Sequence, residues 1–401
     1  MNSASDGHQA KGMDCVGQTE ARDFVMTLAG LDALIALLQA RGYTTLGPRI
    51  RDGAIVYAEI DSHADLPIGW QDLQGPGSYR LEPRQDRACF GYAVGPHSWK
   101  RFLLPPRQLL FRAQYQQNLL QIEVPPASKQ RLALFGVRGC ELAAIQIQDR
   151  VLREGPYADP DYQARRDQAL IIAVNCHSPA QTCFCSSAGT GPEVGEGYDL
   201  ALSELTGESL LAESLFVVRA GSPAGAELLA ALPPDLLKPA TAEQLVAEAQ
   251  SLAKARSRIG PGPDPAAARQ LINDALDGPI WESIAERCLA CANCTLSCPT
   301  CFCTSVSESS DGDGGSERWR EWDSCFSLDF SYLHGGAVRQ SRGARYRQWL
   351  SHKLASWYAQ FGSSGCVGCG RCISWCPVGI DLRQEVHRLS ETVKGMTDEG
   401  S

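Results

Sequence analysis

No stretch of this 401-residue sequence is apolar for long enough to cross a bilayer, where about 20 consecutive apolar residues are needed. The opening residues, MNSASDGHQAKGMDC, hold no apolar leader segment. A long lysine or arginine block is also missing and the net charge is −9, so neither nucleic acid nor an anionic membrane surface is an expected partner. These absences lead to the expectation of a cytoplasmic protein. Nor is there a Ser/His/Asp arrangement, a zinc-protease motif or a phosphate-binding loop, which leaves no conventional hydrolytic or phosphoryl-transfer centre. Glycine and proline are unexceptional and 44% of the residues are hydrophobic, so the chain should be globular, with two or three domains.

What it has in excess is cysteine. Seventeen in a reducing compartment are too many for disulfides, and their clustering points to metal. The strongest signal is Cys288-Leu-Ala-Cys291-Ala-Asn-Cys294-Thr-Leu-Ser-Cys298-Pro299, repeated as Cys366-Val-Gly-Cys369-Gly-Arg-Cys372-Ile-Ser-Trp-Cys376-Pro377. Both follow C-x2-C-x2-C-x3-C-P, the bacterial [4Fe–4S] ferredoxin spacing. Three thiolates on a two-residue rhythm wrap three corners of a cubane, and the fourth is carried off by a helix start. In two-cluster ferredoxins that fourth cysteine ligates the other cluster. Hence Cys288, Cys291, Cys294 and Cys376 are assigned to one cluster, and Cys366, Cys369, Cys372 and Cys298 to a second. The competing reading is a pair of zinc ribbons, which would use separated C-x2-C pairs. Gly368 and Gly370 suit a cluster, because small residues let backbone N–H groups approach the sulfurs.

Nine cysteines remain. Cys140 follows the strand LALFGV and opens the helix ELAAIQI, Cys176 ends the strand ALIIAVN, and Cys183 and Cys185 follow in HSPAQTCFCSS. Loops at the carboxyl ends of parallel strands are where α/β sheets bind ligands, so these four form a third iron–sulfur cluster if the two strands are neighbours. The alternative is that they are small buried hydrophobes. Thr182-Cys-Phe-Cys-Ser-Ser returns as Thr300-Cys-Phe-Cys-Thr-Ser; Cys301 and Cys303, sharing one side of an extended segment, either ligate additional metal with Cys325 or pack at an interface. Cys15 and Cys89 have no partner pattern and are read as structural. Gly189 to Gly195 is read as a turn, since it neither follows a strand nor has dinucleotide-loop spacing. His334, His352 and His387 are read as packed or solvent-facing, and the basic stretch Arg339 to Lys353 as a solvated helix face, or as compensation for cluster charge.

Between the cysteines the pattern is α/β. Residues 54–60, 132–137, 169–175 and 215–220 read as strands; 24–40, 141–152 and 242–255 read as helices. Alternation favours a mainly parallel sheet covered on both faces. A disordered arm over 1–22 is expected first, then the α/β domain (23–258), a Pro/Gly linker (259–268), an α-helical ferredoxin domain (269–390) and a tail (391–401). Within that ferredoxin domain, 266–287 and 326–361 read as helical and 308–317 as an acidic loop. Residues 299–365 separate the two runs, unlike the close spacing of small ferredoxins, which suggests a domain docked between other redox subunits.

With these residues in hand, the chain from about Phe102 onward resembles the iron–sulfur beta subunit of cytoplasmic sulfhydrogenase-type nickel–iron hydrogenases, and the closely similar iron–sulfur subunit of anaerobic sulfite reductase. The resemblance is carried by GVRGCELAAIQIQDRV (136–151), NCHSPAQTCFCSSAGTGPE (175–193), CLACANCTLSCPTCFC (288–303), WDSC (322–325), RYRQWLSHK (345–353) and GCVGCGRCISWCPVGID (365–381). Where the family reads GVRPCD, Gly139 and Glu141 flank an intact Cys140. The resemblance implies electron relay between a flavin subunit that handles NAD(P)H and a catalytic subunit, either hydrogenase small and large subunits or a sulfite reductase partner. Neither nickel site nor flavin fingerprint is visible in the chain itself. An enzyme with its own N-terminal cluster or flavin, acting on a sulfur substrate, is the rival reading.

Overall fold

A computed structural model describes residues 23–116, 119–206, 214–310 and 315–398. The expected arm at 1–22, including Cys15, and residues 399–401 of the expected tail lie outside the described residues. In chain order the strands are β1 (Phe24–Met26), β2 (Thr44–Arg51), β3 (Ala54–Glu59), β4 (Trp70–Gly75), β5 (Ser78–Pro83), β6 (Arg107–Gln116), β7 (Leu119–Glu123), β8 (Leu132–Val137), β9 (Ala169–Val174), β10 (Leu200–Leu205), β11 (Leu215–Ala220), β12 (Lys238–Pro239), β13 (Thr304–Ser310) and β14 (Gly315–Trp322).

Eight strands form one sheet in the order β12-β1-β11-β10-β9-β8-β2-β3. It is mixed, not mainly parallel as the alternation suggested. Only the centre, β10-β9-β8-β2, runs parallel, and antiparallel strands close both flanks. Two local causes account for the difference. Asp52 (φ 49°) and Gly53 (φ 74°) turn β2 straight back into β3, as Asp-Gly does in two-residue hairpins. Phe24–Met26, expected inside a helix, is extended and pairs with β11, and the helix starts only after Thr27 at Leu28–Ala40. Along the central strands alternate side chains enter two cores. Leu170, Ile172 and Val174 pack with Leu31, Leu34 and Leu38 on one face, while Ile171 and Ala173 pack with Leu142, Ile145 and Trp99 on the other. The sheet centre is thus buried on both sides, as parallel strands require.

The C-terminal part is helical around its own core, where Trp281 and Ile284 of helix Ile280–Arg287 meet Trp349 and Leu350 of helix Arg342–Ser351 and Leu389 of helix Leu382–Asp398. It is not all-helical. The expected acidic loop is instead largely strand, since β13 and β14 pair along Thr304–Ser310 and Gly315–Trp322, and 311–314 lie outside the described residues. β13 is exposed along nearly all its length while β14 is mostly half-buried, and β14 pairs with β6, giving a four-stranded sheet, β13-β14-β6-β7, drawn from both halves of the chain. The stretch expected to be helical from 326 begins with a short 3-10 turn and a small hairpin, and becomes helical only at Arg342.

Candidate iron–sulfur centres

Helix Ile280–Arg287 delivers Cys288 as its terminal residue, and the chain then winds through left-handed Ala290 (φ 53°) and Ala292 (φ 67°) to present Cys291 and Cys294. Cys376 and Cys372, from the second run, reach the same cavity, whose wall includes Phe326, Tyr346, Trp349, Ile380 and Leu382. The backbone N–H of Ala290 donates to Cys288 Sγ at 3.4 Å and that of Ile380 donates to Cys376 Sγ at 3.3 Å. Such bonds favour a thiolate over a thiol. Five cysteines line this apolar cavity, and with two of the sulfurs receiving N–H groups they offer a donor set suited to an iron–sulfur cluster.

The second run repeats the winding at Gly368 (φ 64°) and Gly370 (φ 75°). Here the residues must be glycine for a reason beyond access to sulfur. A Cβ on Gly368 would lie 2.6 Å from the Phe184 backbone, and one on Gly370 2.5 Å from Thr182 O, because the loop carrying Cys183 and Cys185 is stacked on the run. Phe184 N–H donates to Gly368 O at 2.8 Å. Cys366, Cys369, Cys298 and Cys294 are the thiols that act on Cys372, so it lies between the two runs.

Strands β8 and β9 are parallel neighbours, which brings Cys140, at the start of helix Gly139–Leu152, beside the loop after β9. Cys183 faces Cys185 and Cys176, and Cys140 faces Cys185. All three of Cys140, Cys183 and Cys185 also face Cys369 of the second quartet. The loop 189–195, read as a turn, folds over this group. Gly191 is close enough that a Cβ would sit 3.1 Å from Cys185 Sγ.

Burial pushes the thiols of Cys294, Cys372, Cys140 and Cys183 well above their ordinary range, and those of Cys185 and Cys366 up to about 12. Bound cation charge such as that of iron offsets this cost of ionising a buried thiol. The guanidinium of Arg371 adds a second sign of fit. It is fully buried, its Nη1 has no hydrogen-bond partner in the protein, and the thiols facing it belong to Cys369 and Cys140. Among the described residues no three His, Cys, Asp or Glu are arranged around a single metal ion.

A family profile described as a 4Fe-4S dicluster domain matches residues 287–380. The sulfhydrogenase 2 subunit beta of Pyrococcus furiosus is 30% identical over 298 residues, covering 74% of this chain and 83% of that protein. The chain belongs to the family of sulfhydrogenase beta subunits. Its relatedness spans both halves of the molecule, so this sulfhydrogenase-type chain carries an iron–sulfur domain joined to the mixed α/β region. No helix among the described residues is long and apolar enough to cross a membrane.

Several functional side chains escape sequence reasoning. Glu141, noted only as a departure from the family pattern, receives Arg371 Nη2 at 2.5 Å, Tyr57 Oη at 2.7 Å and Trp99 Nε1 at 3.1 Å, all buried. Arg371 also donates to the carbonyls of Gly95 and His97, tying the second cysteine run to the α/β region. Arg138 does the same within that region, donating to the carbonyls of Asn175, Phe90 and Tyr92. The basic stretch is not a solvated face: Arg342 donates to Cys288 O, Arg345 to Phe326 O and Lys353 to Cys298 Sγ at 3.2 Å. Lys353 lies in a π-helical segment, His352–Ser356, a device often found where a helix serves a site. His352 packs against Trp357, His387 is exposed beside Glu391, and Cys89 is buried in the sheet core.

Proposed function

We propose that this chain is the iron–sulfur electron-transfer subunit of a hydrogenase-type complex, passing single electrons between a flavin subunit that handles NAD(P)H and a catalytic subunit. In this reading Cys288, Cys291, Cys294 and Cys376 hold one [4Fe–4S] cluster; Cys366, Cys369, Cys372 and Cys298 hold a second; and Cys140, Cys176, Cys183 and Cys185 hold a third. The observation that carries it is the contiguity of the thiol groups: Cys376 of the second run lines the cavity of the first, and the loop of Cys183 and Cys185 is stacked directly on Gly368 and Gly370. Iron–sulfur clusters supply one-electron chemistry with no bond made to a substrate.

The chain's own residues do the rest. The aromatic and aliphatic wall of the first cavity keeps water from the sulfurs, and the N–H groups of Ala290 and Ile380 stabilise negative sulfur. Arg371 and Lys353 bring positive charge into a low-dielectric interior beside the thiols. The relative's name, a beta subunit, supports work inside a larger assembly. So does strand β7, an edge strand whose Leu119, Leu120 and Ile122 are all exposed, since contiguous apolar surface marks protein contacts.

Iron and acid-labile sulfide per chain, measured on anaerobically purified full-length protein, test the reading. Cys369→Ser should remove one cluster's worth of iron and Cys183→Ser another. Full iron retention in both variants would contradict it, and a flavin spectrum in the single chain would favour an enzyme with its own active site.

A further inference from the structure

The second Thr-Cys-Phe-Cys segment is left over after twelve cysteines have been placed in three quartets. Its surroundings differ from those of an ordinary packed thiol. Cys301 lies beside Cys298, the Lys353 ammonium reaching both sulfurs, and Cys303 lies beside Cys325. The Cys325 backbone lies close to the Cys303 sulfur, and the neighbouring Asp323 N–H donates to Cys303 O at 2.9 Å. Cys325 in turn faces Cys294 of the first quartet. The three thiols therefore sit between the first and second quartets.

Charge is the second observation. Lys353 and Lys100 are 3% and 6% exposed, and among the described residues neither ammonium has a carboxylate within ion-pairing distance. Lys353 Nζ donates to Cys298 Sγ at 3.2 Å and to Cys301 Sγ at 3.5 Å, and Lys100 Nζ donates to Cys301 O at 2.9 Å while lying 4.0 Å above the Trp322 ring. Two buried cations without an anion would be strongly destabilising, and both converge on Cys301. The third observation is the repeat itself. In the first copy Thr182 is fully buried and hydrogen-bonds Ser374, placing Cys183 and Cys185 in a quartet; in the second Thr300 is fully buried and donates to Gly365 O. Each copy is thus fixed against the second ferredoxin run, one before it and one within it.

We infer that Cys301, Cys303 and Cys325 hold a further iron–sulfur cluster through three thiolates, with Lys353 and Lys100 compensating its charge. Each thiol gives up its proton on ligation, and the cluster iron left without a cysteine takes a ligand other than thiolate. The inference rests on the electron-transfer reading but is separable from it.

The test uses full-length protein purified anaerobically and compares wild type, Cys303→Ser/Cys325→Ser and Cys369→Ser for iron, acid-labile sulfide and the electron paramagnetic resonance of the oxidised and reduced forms. The double variant should lose roughly three to four iron atoms per chain and one set of signals, while those of the quartets persist. Unchanged iron in a folded double variant overturns the inference, and unchanged iron in Cys369→Ser as well overturns the electron-transfer reading with it. If the double variant fails to fold, alkylation of native wild type decides: Cys301, Cys303 and Cys325 should be protected and become reactive once iron is chelated. Reactivity before chelation, or a Cys303–Cys325 disulfide in the mass spectrum, overturns the site.

Discussion

Replacing Arg371 by methionine should break the joint between the second cysteine run and the α/β region. Arg371 and Glu141 are 0% and 1% exposed in their side chains and meet at 2.5 Å. Removing the cation leaves the Glu141 carboxylate buried with the Tyr57 hydroxyl, the Trp99 indole and the Arg138 backbone N–H as its donors, all of them neutral, and leaves the carbonyls of Gly95 and His97 without the guanidinium. Breaking a buried pair from one side costs about 3–5 kcal/mol, and Glu141→Gln should cost a similar amount by stranding the guanidinium. The double variant has no orphaned charge. What it loses is chiefly the two carbonyl bonds, about 2–4 kcal/mol in all. The two single effects should therefore fail to add by at least about 2 kcal/mol, within the range seen for residues in contact. Denaturant midpoints of the anaerobic protein, followed by tryptophan fluorescence with Trp99 as the local reporter, measure this. Additive effects, or single effects under about 1 kcal/mol, would refute the idea that this pair is the joint.

Three further outcomes follow from the same geometry. Gly370→Ala should lower stability by about 2–4 kcal/mol, combining a positive φ with a clash against Thr182, whereas Ala292→Gly at the matching place in the first run should be neutral or stabilising; thermal melts of the two variants give the comparison, and equal shifts would contradict it. His97 has its pKa lowered to about 4 by burial first and by Arg101 and Arg371 next. The unfolded chain therefore takes up this proton before the folded one, and stability falls as pH drops from about 6.5 to about 4. After discounting for partial exposure the loss is up to about 2 kcal/mol, and His97→Asn should flatten that slope. Lys353→Met removes a cation beside Cys298, so the reduced and more negative form of the cluster there is disfavoured. A redox titration should find the midpoint potentials of the clusters held by Cys298 and by Cys301 lowered, and those of the clusters away from Lys353 unmoved.

Spacing alone made the two ferredoxin runs legible, because ligand geometry acts over a few residues and leaves a local record. The third group was legible only conditionally, since it depended on β8 and β9 lying side by side, which is a long-range fact. The antiparallel flanks were harder to read. The Asp52-Gly53 hairpin carries a local signal, but β1 is three residues long and owes its strand conformation to β11, distant in the chain. The β13–β14 hairpin looked like an acidic loop because its alternation is polar on both faces, and what holds it is the edge of β6. Arg342, Arg345 and Lys353 looked like a solvated basic face because sequence does not say which way a helix is turned. They point at cysteine-bearing loops, and Glu141 stands out only once Arg371 is seen against it.

The most direct test of the central claim, that thiols drawn from distant parts of the chain hold iron–sulfur clusters close to one another, is Mössbauer and electron paramagnetic resonance spectroscopy of iron-57-labelled full-length protein prepared anaerobically. Cubane iron should account for the metal, and on reduction the signals should be broadened by coupling between neighbouring clusters. A colourless protein holding zinc, with no paramagnetic signal after reduction, would contradict the account.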